Sequence, residues 1–157
     1  MAECYSIENA NIALTAGTAK SVVVATAAST KAFRVVQLAV SCDATATGLL
    51  KTEFLVGTLS SGTTGTAPTV ARMNSDAYNI APQTTASYYT AEPTYTKHAS
   101  NGALAVKTLV TPLPATPYDI EYPLGREWYC PSSNVLAVRL TSTTVSPNTW
   151  VNLCIEE

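Results

Sequence analysis

Apolar side chains recur in this chain with a period of two, in runs of about four to nine residues, each closed by Thr, Ser, Gly or Pro. A helix needs apolar positions spaced by about 3.6 over ten or more residues, and no stretch of useful length offers that. The pattern therefore predicts an all-β chain of eight or nine short strands, folded as a single-domain antiparallel β-sandwich or a jelly-roll-like variant of one, over 1–157.

Ser21–Thr26 is the first clear strand and Phe33–Ser41 the second. Two faces of the second, Phe33/Val35/Gln37/Ala39 and Arg34/Val36/Leu38/Val40, are both largely apolar, which predicts cover on both sides, by a second sheet and by something else. In the third, Leu50, Thr52, Phe54 and Val56 point inward while Lys51 and Glu53 point out. Ser60–Pro68 carries two glycines and no apolar anchor, and is expected as an exposed hairpin tip. Val70–Met73 has a strand's composition, and Ser75–Tyr78 that of a short helical turn. Gln83–Tyr89 reads as a strand closed by Glu92-Pro93, and another follows the Asn101-Gly102 turn signal. Prolines 112, 114 and 117 forbid central-strand pairing around them. Leu136/Val138/Leu140 and Val151/Leu153/Ile155 alternate on either side of Ser146-Pro147-Asn148 and are expected to form a hairpin. The expected core is Val22, Val24, Val36, Leu38, Val40, Phe54, Val56, Leu136, Val138, Leu140, Val151, Leu153 and Ile155. Residues 1–11 are polar and are expected as an N-terminal arm or a frayed end.

Charged residues are only 13% of the chain, against the usual quarter or so; 24 Thr and 13 Ser supply polarity instead. A net charge of -2 argues against a nucleic-acid binder, which needs a basic footprint. No run approaches the roughly 18 apolar residues of a membrane span, and the acidic Met1–Glu8 segment is unlike a secretory signal. Synthesis in a cytoplasm, without nucleic-acid or membrane partners, is the expectation.

Residues able to carry chemistry are few. Cysteines 4, 42, 130 and 154 are too dispersed for a Cys-x-x-Cys clamp, so neither a metal site nor a cofactor is expected, and the thiols are read as reduced and mostly buried. His98, the only histidine, lies in a polar loop and reads as solvated. Asp119 and Glu121 share a strand face near Glu127, where a solvated face or a pairing with Arg126 is expected rather than a glycosidase pair. Gly62 and Gly65 lack the lysine and helix of a phosphate loop. Tyr88, Tyr89 and Tyr95 suggest core or interface packing, with carbohydrate stacking as the alternative. A chain so poor in charge, with a strand apolar on both faces, favours an assembly protein over an enzyme, and symmetric association to cover the apolar surface.

Tyr122-Pro123-Leu124-Gly125-Arg126-Glu127 sharpens this reading. Together with Ile12–Val22, Ala91–Thr94, the alternating Leu136–Thr141 and the closing Val151–Glu157, it resembles the small all-β proteins encoded among the head genes of tailed bacteriophages, the capsid decoration or cement proteins. The resemblance implies a structural virion protein and not an enzyme: a β-sandwich homotrimer on the capsid exterior whose partners are its own copies and the major capsid protein of the phage head. The Tyr122–Glu127 segment itself is expected to be a structural corner, since Pro123 fixes φ and Gly125 permits a positive one. The competing readings are a tail- or fibre-associated β module, a carbohydrate-binding domain and, ranked last, a small hydrolase.

Overall fold

The computed structural model describes residues 3–73, 81–113 and 117–157, and no helix occurs among them. The strands are β1 (Cys4–Ala13), β2 (Ala19–Thr26), β3 (Phe33–Cys42), β4 (Gly48–Ser60), β5 (Thr63–Thr64), β6 (Val70–Arg72), β7 (Thr85–Ser87), β8 (Tyr89–Ala91), β9 (Thr94–Lys97), β10 (Ala105–Leu113), β11 (Tyr118–Glu121), β12 (Trp128–Cys130), β13 (Val135–Ser142) and β14 (Asn148–Glu156). They build two large antiparallel sheets, as the period-two pattern predicts. The first runs β11-β3-β14-β1-β6, with β12 also on β3; the second runs β10-β4-β13-β2-β7, with β9 also on β4.

The pairing is nested. β1 pairs β14, β2 pairs β13, β3 pairs β11 and β4 pairs β10, so the principal strands behave as one long hairpin rolled into a sandwich. Consecutive strands among β1 to β4 accordingly alternate between sheets. That overturns the expected hairpin of β13 and β14: β13 lies between β4 and β2 in the second sheet, whereas β14 lies between β3 and β1 in the first. The Ser146–Asn148 segment does turn the chain, but it carries it across the core, with Leu14 N–H donating to the Pro147 carbonyl at 2.9 Å.

Residues 4–11 are no arm. They form most of β1, which pairs with β14 on one side and β6 on the other, with Tyr5 and Ile7 fully buried and Ser6 and Glu8 turned outward. The polar residues that suggest a frayed end are mostly the outer half of an ordinary alternation. One of the inner positions is Asn9, whose amide donates to the Val22 carbonyl across the sandwich.

Every expected core residue is buried except Val36, which is half-buried while its neighbour Val35 is fully enclosed. Cys154 faces Gln37 and the next residue, Ile155, faces Val35, so Val36 is the extra residue of a β-bulge. The bulge reverses the alternation within β3. Phe33 and Val35 before it, and Leu38 and Val40 after it, all enter the same core. The two apolar faces read from the sequence are thus one face, interrupted once, and β3 needs no second cover. A second irregularity, at Val22 between the Val138–Val23 and Arg139–Ser21 pairs, turns Val22 and Val23 into that core together.

Two-sided cover does occur, on the second sheet. Between β4 and β10 the chain makes an excursion that adds β6 to the first sheet and β7 and β9 to the second. Tyr89 of β8 and Tyr95 of β9 then pack over the second sheet's outer face. A small outer core results, of Val24, Leu55, Tyr89, Val135 and Ala137, flanked by Leu59, Tyr95 and Leu104. Ser60–Pro68 is largely exposed, as expected, but Thr63 and Thr64 pair with β8 rather than standing free. The helical turn expected at Ser75–Tyr78, and Pro114, lie outside the described residues. Pro112 sits in β10, an edge strand, where a missing N–H is tolerated.

Leu140 is fully enclosed in the central strand β13. Leu140→Ala should lower unfolding free energy by about 2–5 kcal/mol in urea titration, as removal of a large buried side chain does. Gly57 tests the excursion separately. A Cβ there would collide with the Thr96 backbone carbonyl of β9. Gly57→Ala should leave the sandwich folded but loosen β9, seen as faster proteolytic cleavage between residues 58 and 104.

Candidate functional site

Two surfaces concentrate chemistry-bearing side chains, one on the outer face of each sheet. On the second sheet, β4, β13 and β2 present Glu53, Arg139 and Ser21 to the excursion, which answers with Glu92 and Tyr95. Glu53 receives Lys51 Nζ at 2.8 Å and Arg139 Nη2 at 2.9 Å. Arg139 Nη1 also reaches Glu92 at 3.7 Å. Glu92 in turn accepts the Ser21 backbone N–H at 2.6 Å and its hydroxyl at 3.0 Å, while Tyr95 donates its hydroxyl to Ser21 Oγ at 2.6 Å. Glu53 thus faces away from the main core, as the alternation predicts, yet only 5% of it meets solvent. Sequence reading misses this network because its members lie in four strands and one loop, with no motif linking them.

Burial pushes the Glu53 carboxyl upward, but the bond from Lys51 and the charge of Arg139 outweigh it and hold the group below the ordinary glutamate value. Burial raises the Tyr95 hydroxyl, and the Glu92 charge adds to this. The network is a fastener: a sheet's outward charges hold the excursion down.

On the first sheet the outer face is open among the described residues. β11, β3, β14 and β1 there form a groove of about 380 Å³ whose lining includes Glu8, Ala39, Ser41, Asp119, Trp150 and Asn152. Register explains the grouping. Asp119 is opposite Ala39, Ala39 opposite Asn152 and Asn152 opposite Glu8, giving one row across four strands, with Trp150 opposite Ser41 in the next. The small Ala39 leaves the space. Gln37 Nε2 donates to both oxygens of Asp119, at 2.8 and 2.9 Å, and fixes that carboxylate.

The remaining sequence candidates do not converge. His98 is half-buried just past the end of β9, and its Nδ1 accepts the Ser100 N–H at 3.2 Å. Of the acids at the corner, Asp119 is held by Gln37. Glu127 accepts the Gly125 N–H at 2.6 Å and lies 3.9 Å from Arg34. Among the described residues Arg126 has no ion pair with Asp119 or Glu121, so the pairing expected for it is replaced by Glu127–Arg34. Tyr89 and Tyr95 are packed in the outer core, and Lys20 lies over Tyr88, 5.4 Å from its ring centroid. The exposed aromatic of a groove is therefore Trp150, at 36% exposure, which the sequence does not single out. All four cysteines are free thiols. Burial pushes Cys130 up to about 12 and also raises Cys4 and Cys154. No group of three His, Cys, Asp or Glu is placed to hold a metal ion among the described residues.

No protein-family model matches the chain, and no curated protein or solved structure matches it.

Because the folded Glu53 value lies below the unfolded one, the network contributes fully above about pH 4.5, and this is lost as pH falls through the lower folded value. Glu53→Gln should therefore show a smaller drop in Tm between pH 7 and pH 3 than the parent. Arg139→Ala should cost about 1–3 kcal/mol at pH 7 by urea titration, less than the cost for a fully buried pair because Arg139 keeps some water contact.

Proposed function

We propose that this is a structural virion protein: a capsid decoration, or cement, protein that binds the outside of a phage head as a homotrimer and stabilises the shell. The sequence resemblance supplies the capsid and the three-fold symmetry. The observation that carries self-association is an apolar strip on the second sheet that no described residue covers. Leu49 on β4 is 46% exposed and Val110 on β10 is 57% exposed. Exposed Pro112 lies directly opposite Leu49, so the three share one face beside the edge of β10, with Lys51, drawn to Glu53, opposite Val110. Grouped apolar side chains next to a strand edge suit contact with another chain. This strip takes over the role that the sequence pattern gives to β3.

The nested pairing adds support at the level of architecture. We read it as a jelly roll, a form found in viral capsid and lectin domains, which is an analogy of fold rather than of site. The Tyr122–Glu127 segment, central to the resemblance, is a tight corner between β11 and β12. Arg126 N–H donates to the Pro123 carbonyl at 2.9 Å, Gly125 has φ +84°, and Leu124 projects at 88% exposure. Tyr122 and Trp128 anchor the two ends of this corner on Phe54, with ring centroids 6.4 and 6.0 Å away. A rigid corner bearing an exposed leucine is suited to docking against a shell.

In the proposed mechanism no bond is made or broken. Three linked copies engage the capsid lattice together, so weak single contacts gain from effective concentration. A ligand that binds only the assembled lattice shifts the equilibrium toward it by mass action. The protein would be made in the host cytoplasm and reside on the virion surface.

Light scattering of the purified protein should give a mass near three chains, and the protein should sediment with heads of its own phage that lack it. Leu49→Glu combined with Val110→Glu should shift the mass toward one chain without loss of the β spectrum. A stable monomer that ignores undecorated heads would remove the proposal, and sedimentation with tails in place of heads would replace it with the tail-module reading.

A further inference from the structure

We propose that the groove on the outer face of the first sheet is a binding site for a neutral oligosaccharide, laid across the strands with a sugar ring against Trp150. This does not rest on the capsid reading; it assigns a second, separate surface.

The groove holds about 380 Å³ on a four-stranded face, with the small side chain of Ala39 at the centre of its row. A volume of this order suits a small ligand. Its lining groups are of two kinds. Trp150 supplies a broad apolar surface that is only partly covered, and the C–H face of a pyranose packs on such a ring. Glu8, Asp119 and the Asn152 and Ser41 side chains supply hydrogen-bonding groups rich in acceptors, which match the donor hydroxyls of a sugar. Asp119 is already oriented by the double bond from Gln37, and a carboxylate has acceptor positions beyond those two.

The spacing of the carboxylates selects the ligand class. Asp119 is on β11 and Glu8 on β1, three inter-strand steps apart. At about 4.8 Å per step that is roughly 14 Å, too far for one ammonium group to be shared. Among the described residues neither carboxylate is in an ion pair, so neither is committed to a structural cation. Acceptors at both ends of a row and an aromatic surface beside its middle fit a chain of two or three sugar rings.

The test uses the full-length protein against an immobilised panel of neutral oligosaccharides of glucose, galactose, mannose and N-acetylglucosamine, followed by calorimetry with the best soluble member. Binding should appear for at least one linkage. Trp150→Ala should weaken it tenfold or more and Asp119→Asn several-fold, with the β spectrum and the mass in solution unchanged. Gln37→Ala, which frees the Asp119 carboxylate, should give a smaller loss. The three substituted side chains lie on the open face, outside the core, so the sandwich should fold in each variant. No binding to any panel member at millimolar sugar overturns the proposal, as does binding that Trp150→Ala leaves intact. Capture of tetramethylammonium in place of sugars would overturn it by assigning the groove to cations. A fall in mass on Trp150→Ala would overturn it by making the groove a subunit contact.

Discussion

One extra residue in β3 governs how the two sheets close on each other. With Val36 bulged out of register, Phe33, Val35, Leu38 and Val40 line a single interior. Without it, either the first pair or the second would point to solvent, and half the apolar surface of this central strand would be lost from the core. At roughly 25 cal/mol per Å² of apolar surface, exposing two such side chains costs several kcal/mol, a large share of the stability of a small domain. The corner between β11 and β12 is placed by the same irregularity. β11 pairs with Gln37–Val40 and β12 with Phe33–Val35, so the chain steps outward at the bulge, where Tyr122 N–H donates to the Val36 carbonyl at 2.8 Å.

Period-two patterning makes the strands legible because each inner face demands an apolar side chain at every other position. Phe54, the Leu136/Val138/Leu140 row of β13 and the Val151/Leu153/Ile155 row of β14 are all readable on that ground. Partnering is not. Adjacent alternating segments suggest a hairpin, but alternation carries no information about which sheet a strand joins, and β13 and β14 go to different ones. The bulge is hidden for a related reason: a shift of parity within one strand looks, in sequence, like two apolar faces. β1 is hidden because Ser6, Glu8 and Asn9 outweigh Tyr5 and Ile7 in any local average.

Neither surface rich in chemistry is legible. The row Asp119–Ala39–Asn152–Glu8 draws on residues up to more than a hundred positions apart, joined only by register. The network around Glu53 is similar: its stabilising sense comes from Lys51 and Arg139, which outweigh the burial imposed by an excursion whose path no sequence pattern dictates. The low charge content is informative in an unexpected way. Four of the chain's few charged side chains, Lys51, Glu53, Glu92 and Arg139, are engaged with one another between the second sheet and that excursion, which leaves still fewer to solvate the surface.

The nested pairing also has a temporal meaning. β14 stands between β3 and β1, and β13 between β4 and β2, so each sheet receives its central strand only after the early strands have been made. Until then β1 to β4 have partners on one side only, β6, β7, β11 with β12, and β10 with β9, and no closed core, so their other edges are open to other chains. Such long loops must be closed before either sheet gains its contacts, which slows folding relative to proteins built from local contacts. Productive folding thus waits on β13 and β14, and crowding of nascent chains at high expression favours aggregation over the native sandwich.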